Sequence, residues 1–389
     1  MSSINTSSAQ SSASSAATKS NSLRSKILPR WAPWVCAGAA LALAIVVSFI
    51  AFGNVNIPVV AIAAGVLNLL MIYFWSRSVE GARQGINRVA TTLVTSSFVL
   101  ALVPLVSLLW MTVERGLPVL IHSTTVLTRT MNGIKGIYDQ QYVAGEAALA
   151  GGFYHAIVGT VLITFVACII SIPVGVLTAI YLVEYGGKNT LAKSITLLVD
   201  VMTGIPSIVA GLFAFALFTT LSSIINPNEI GSAKTGFAAG VALSVLMIPI
   251  VVRNTEEILR LVPRGLREAT YALGVPKWKT ITHIVLPTAI SGILSGVTIA
   301  IARVIGETAP IMVTAGFAKS LNNDLFEGWM ATLPTYIYDA QMHPVSPGVA
   351  AVASSERAWA AALVLIALVM VLNLVARVMA KYLAPKGTR

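Results

Sequence analysis

The sequence predicts an all-α integral membrane protein that crosses the bilayer eight times. Three observations carry this expectation. Hydrophobic residues make up 56% of the 389 residues and charged ones only 11%, against about 25% charged in ordinary soluble domains. The apolar residues gather in runs long enough to span roughly 30 Å of hydrocarbon at about 1.5 Å per residue. Lys and Arg outnumber Asp and Glu by 26 to 15, and the surplus collects between alternate runs, as the positive-inside tendency requires. In a water-soluble chain this surplus would suggest nucleic acid. No basic patch interleaved with aromatics accompanies it here.

Residues 1–30 read as a disordered basic tail. Ser, Ala, Thr and Asn dominate to residue 22, and Lys19, Arg24, Lys26 and Arg30 are its basic residues. Such a segment has too little apolar surface to fold. The run at 32–52 follows. A basic stretch before an apolar run also fits a signal peptide, but this run is longer than a signal core and is read as an uncleaved helix. With the span at 57–75 it forms an accessory hairpin, residues 31–89.

Spans at 90–113, 155–183, 195–225, 237–252, 288–315 and 358–379 make up a core, residues 90–389. Those at 155–183 and 195–225 exceed the usual 17–25 residues or so. Pro173, Gly175, Gly204 and Pro206 are the expected bending points. The basic loops at 76–89, 184–194 and 253–287 alternate with more acidic ones. Asp324, Glu327, Asp339 and Glu356 lie in 316–357, whereas the C-terminal tail carries Arg377, Lys381, Lys386 and Arg389. Both termini are therefore expected on the cytoplasmic side, which requires an even number of spans.

Ionisable residues inside a span are costly and are functional candidates by default. Asp200 opens the run Asp-Val-Met-Thr-Gly-Ile-Pro-Ser, which brings Thr203 and Ser207 with it. Arg303, Glu307 and Thr308 stand in Ala-Arg-Val-Ile-Gly-Glu-Thr-Ala, residues 302–309. Arg303 is about 15 residues past Thr288, roughly 22 Å along a helix. Glu307, four residues on, would share its face and pair with it. Two readings stay open: a structural ion pair, or a pathway in which the guanidinium grips an oxyanion. Asp200 is the weaker candidate, since capping near a helix end would explain it equally.

The loop 253–287 does not suit a plain bundle. It predicts one short helix from Asn254 to Leu261 and another from Leu266 to Leu273. Gly274 ends the second, and Pro276 opens a further turn. Such a pair could lie on lipid headgroups or dock a cytoplasmic partner. The residues Glu268-Ala269, then Gly274, then Ile284-Val285-Leu286-Pro287 after nine intervening positions, resemble the EAA signature of ABC importer permeases. Thr270 stands where that signature has its second Ala. The resemblance implies a coupling helix that fits a groove on an ATPase subunit, with Arg267, Glu268, Ala269 and Gly274 as the coupling residues.

Further segments sharpen the resemblance. Residues 153–160, 200–211, 247–257 and 302–309 are similar to PstA-type permeases of phosphate-specific ABC importers, over about 150–385 and more loosely from 90. The resemblance implies a six-helix type I importer core, with the two N-terminal spans outside it, in the bacterial cytoplasmic membrane. It implies a PstC-like permease as partner, two ATPase subunits carrying ATP and Mg, and an extracytoplasmic phosphate-binding protein. The implied pathway residues are Arg303, Glu307, Thr308, Asp200, Thr203 and Ser207.

No enzyme chemistry is expected of this chain, and no cofactor or metal. Gly187-Lys188-Asn189-Thr190 fails as a phosphate loop, because Leu182 stands where its first Gly must be and Asn189 where its Ser or Thr must be. His122, His155, His283 and His343 show no metal-ligand spacing, and Cys36 and Cys168 form no motif. The rival readings are a permease for sulfate or molybdate, an ion-driven carrier, which would be expected to show internal repeats, and a membrane-embedded enzyme.

Overall fold

The computed structural model describes residues 28–29, 31–187, 189–225 and 233–383. The Ser-rich tail with Lys19, Arg24, Lys26 and Arg30, and also Lys188, Lys386 and Arg389, lie outside the described residues. Among the described residues, secondary structure is helical throughout, and eight helices are long and apolar enough to cross a membrane. The chain divides into two compact units, one ending at Leu109 and one beginning at Trp110.

In the first unit, α1 (Ala32–Phe52) and α2 (Ile57–Glu80) form a hairpin. Ala32, Cys36, Ala40, Ala44 and Ser48 recur every four residues on α1 and are its buried positions. A stripe of small side chains lets helices approach closely where lipid gives no hydrophobic drive between them. The turn is tied by Ser48, whose hydroxyl donates to the Asn54 carbonyl and accepts from Asn56 N–H. Glu80 ends α2 and accepts from Arg88 at 3.0 Å. Helix α3 (Ala82–His122) runs unbroken through the expected boundary at 89/90 and on past Leu109.

The second unit centres on α5 (Tyr154–Ile180) and, later in the chain, α8 (Gly236–Leu261). Between α3 and α5 lies the short α4 (Gly136–Val143). Glycines let α5 and α8 touch. A Cβ on Gly240 would meet Val166 at 2.4 Å, and one on Gly175 would meet Val251 at 2.7 Å. Pro173 and Pro249 sit inside α5 and α8 without breaking them, so the bend expected at Pro173 does not interrupt the helix. Helix α5 continues into a π-helical turn, Tyr181–Tyr185.

The span expected at 195–225 is two helices, α6 (Thr190–Thr203) and α7 (Ser207–Ile225), parted at Gly204-Ile205-Pro206. Pro206 has no N–H to donate and its ring would clash with the carbonyl four residues back.

Two expectations about helix ends are corrected. Asn254–Leu261 is no separate loop helix. It is the last part of α8, which has no Gly or Pro between Pro249 and Pro263. The span expected at 288–315 is also interrupted. Helices α9 (Arg264–Ala272) and α10 (Lys277–Thr280) precede a π-helical turn, Ile281–Val285. Then α11 (Leu286–Val304) ends, and α12 (Ala309–Thr314) starts separately. Pro310 explains the break, because its ring opposes a helical carbonyl at Gly306. The chain closes with α13 (Leu333–Met342) and α14 (Ala351–Leu383). There Arg357, 1% exposed, pairs with Asp139 of α4, 0% exposed.

Candidate functional site

The interruption between α6 and α7 and the end of α11 face a common cavity of about 300 Å³. Thr203, Pro206 and Ser207 line it from the first break, Pro249 and Ile250 from α8, and Arg303 and Glu307 from the end of α11. Four of the six expected pathway residues thus meet in one place, and they come from segments some hundred positions apart. Helices stop here because Gly and Pro stop them. The stops leave irregular backbone and polar side chains lining a cavity, where such backbone is tolerated in a membrane protein.

The electrostatics differ from the expected i, i+4 pair. Helix α11 ends at Val304, so Glu307 does not follow Arg303 on one face. Its N–H bonds to the Val304 carbonyl in a turn. Among the described residues no ion pair joins Arg303 to Glu307 or to any other acid. The guanidinium is an exposed cation in a cavity that also holds a carboxylate. Around it, the Thr203 hydroxyl donates to the Asp200 carbonyl at 2.6 Å. The Ser207 hydroxyl has no protein partner among the described residues.

Asp200 and Thr308 stand apart from the lining. Asp200, its side chain 55% exposed, forms an ion pair with Arg253 of α8. Arg253 also binds Glu256 at 3.1 Å, and Glu256 is held in turn by Arg260. Thr308 caps the start of α12 with its carbonyl, which accepts from Met312 N–H. Arg253 was not legible as a site residue. Along the chain it belongs to the basic stretch before Pro263, whereas in the fold it lies within α8, one turn before Glu256.

A second candidate site is the elbow of α9 and α10. Gly274 turns between them with φ of +74°, which disfavours any residue with a side chain. Glu268, Ala269 and Gly274 are exposed, and so are Leu273, 82% accessible, and Trp278. The hydroxyl of Thr270 donates to the Leu266 carbonyl at 2.7 Å, so the position usually held by Ala carries a satisfied polar group. Arg267 differs from its neighbours: it turns inward to Glu184.

Comparison with known proteins matches this chain to one family. Residues 171–389 fit the family described as binding-protein-dependent transport system inner membrane component. The phosphate transport system permease protein PstA 1 of Mycobacterium tuberculosis is 44% identical over 306 residues, covering 78% of this chain and 90% of that protein. The chain belongs to the PstA permease family. PstA of Mycobacterium leprae is 45% identical over 77% of this chain and 90% of its own length. PstA of Yersinia pestis is 34% identical over 78% and 92%.

Among solved structures, a chain of the inward-facing methionine transporter MetNI covers 60% of this chain and 95% of its own, at 19% identity and a TM-score of 0.44. With eight apolar helices, this PstA-family chain is a multi-pass inner-membrane protein. The match to the family model takes in the α6–α7 break, the end of α11 and the elbow.

Proposed function

We propose that this chain is one permease half of an ATP-driven phosphate importer. A PstC-like permease completes the pathway, two ATPase subunits supply energy from ATP and Mg, and an extracytoplasmic phosphate-binding protein delivers cargo. Both termini and the elbow lie on the cytoplasmic side, where the basic loops gather. The ATPase docks on the exposed face around Glu268, Ala269 and Leu273. The N-terminal hairpin is an accessory to the six-helix core.

The observation that carries the reading is the Arg303 guanidinium, exposed and without an ion-pair partner among the described residues, in a cavity of about 300 Å³. A tetrahedral oxyanion can take two parallel hydrogen bonds from a guanidinium. Ser207 and Thr203 add hydroxyls that bond to phosphate oxygens. Glu307 limits affinity by repelling a fully charged anion, which suits release as much as entry. Asp200 and Thr308 act from outside the lining, Asp200 by holding Arg253 and Thr308 by opening α12. The curated relatives, named as phosphate transport permeases, support phosphate over sulfate or molybdate.

The test is radiolabelled phosphate uptake in cells lacking this chain, complemented with the intact protein or with Arg303→Gln. Sulfate and molybdate serve as competitors. Uptake restored only by the intact chain, with neither competitor effective, supports the proposal. Uptake unaffected by loss of the chain, or inhibited by sulfate, refutes the assignment of phosphate.

A further inference from the structure

The two arms of the elbow grip one spot on another helix. That spot is Glu184, in the π-helical turn that ends the long run begun by α5. Arg267, before Gly274, donates Nε and Nη2 to Oε1 of Glu184 at 3.0 and 2.9 Å. The same guanidinium donates Nη1 to the Val262 carbonyl at 2.8 Å and Nη2 to the Leu259 carbonyl at 2.9 Å. Lys277, after Gly274, donates Nζ to the backbone carbonyl of Glu184. Its ammonium also stands 4.8 Å from the centre of the Tyr185 ring. The Glu184 side chain is 5% exposed and that of Arg267 15%.

Apolar packing cannot do this job. None of the nine residues of α9 is buried, and Leu266, Tyr271 and Leu273 face outward. The link to the bundle is therefore polar: the Glu184 carboxylate is its one side-chain acceptor, beside the backbone carbonyls of Glu184, Val262 and Leu259. A guanidinium suits it, because a planar fork serves three acceptors at once and an ammonium does not hold that geometry.

The geometry points to Glu184 as a positioning residue that fastens both arms of the coupling elbow to the end of α5. An ATPase subunit that displaces the elbow then drags α5 with it, and α5 packs along α8, whose Pro249 lines the cavity. Without the clamp, the arms can pivot at Gly274 and absorb the push. This inference rests on the docking of an ATPase at the elbow, proposed above.

The experiment uses the complete importer in proteoliposomes, with radiolabelled phosphate and its binding protein outside. ATP hydrolysed and phosphate moved are measured together. Glu184→Ala is expected to retain bound ATPase subunits and to hydrolyse ATP, while phosphate moved per ATP falls on the order of tenfold, the scale of a site-to-site coupling. Arg267→Lys lowers the same ratio. Glu184→Gln, which keeps an acceptor oxygen, falls between Glu184→Ala and the parent.

A parent-like ratio in both Glu184→Ala and Arg267→Lys overturns the clamp. Should Glu184→Ala fail to accumulate, Arg267→Lys and Glu184→Gln decide by the same criterion. Leu273→Asp separates the two ideas. It is expected to release the ATPase subunits, and retention of both with normal transport would sink docking at the elbow itself.

Discussion

Arg357 and Arg303 carry the same guanidinium into apolar helices and meet opposite fates. Arg357 is 1% exposed and faces Asp139 at 2.8 and 2.6 Å through both Nη atoms, with the Ala150 carbonyl at 2.9 Å and Ser354 at 3.1 Å as further acceptors. Its charge is neutralised and both Nη atoms find acceptors inside the protein, while Nε has none among the described residues. Arg303 has no ion-pair partner among the described residues and opens into a cavity. A buried cation must be paired, or the protein pays heavily in desolvation. A cation left unpaired beside water is free to bind an anion. Pairing, more than depth in the membrane, is what separates a strut from a site.

The comparison can be broken most forcefully at Arg357. Arg357→Gln strands the Asp139 carboxylate, so the purified protein should lose about 3–5 kcal/mol, the usual cost of breaking a buried pair. Thermal melting in detergent and the amount reaching the membrane would show it. Replacing both partners by apolar residues, as in Asp139→Leu with Arg357→Met, should recover most of the loss. If the double variant melts as low as the single one, the pair does more than neutralise itself.

Arg303→Gln should do the reverse. Melting should hardly change, while phosphate uptake falls about a hundredfold, as expected when a charged bidentate contact of about 3 kcal/mol is lost. A clear drop in melting temperature with uptake preserved would make Arg303 structural and erase the contrast.

Tyr142 sharpens the picture on the Arg357 side. Its hydroxyl donates to Glu356 at 2.6 Å. Burial first, then that carboxylate, push its pKa up to about 12 from 10.0. The folded value lies above the unfolded one. The associated stability is thus full below pH 10 and is lost as pH rises towards 12. Tyr142→Phe should cost about 1 kcal/mol at neutral pH and should flatten the alkaline fall in melting temperature. An unchanged alkaline limb would show that another group sets it.

The smallest effect is expected at Asp200. Its side chain is 55% exposed, so Asp200→Asn should shift stability by less than about 1 kcal/mol. A larger loss, measured by the same melting assay, would mean that the Arg253 pair is sheltered in the assembled importer.

Much of this molecule was readable along the chain. Hydropathy marked the eight spans, because a backbone in lipid must satisfy its own hydrogen bonds and needs a fixed length to do so. Gly204 and Pro206 announced the helix break that shapes the cavity, and the spacing from Glu268 through Gly274 to Pro287 announced the elbow. The same local rules misled at Glu307. The i, i+4 pairing with Arg303 assumed a helix that Gly306 and Pro310 end early, which left the cation free.

What sequence order could not supply were the partners. Asp200 and Arg253 are 53 positions apart, Glu184 and Arg267 83, and Asp139 and Arg357 218. Composition and motif determined that this chain spans the membrane and belongs among importer permeases. Tertiary structure alone decided which charges are cancelled and which stay open. Hydropathy is a sum over neighbours in the chain, whereas a charge is neutralised by whatever the fold brings within about 4 Å.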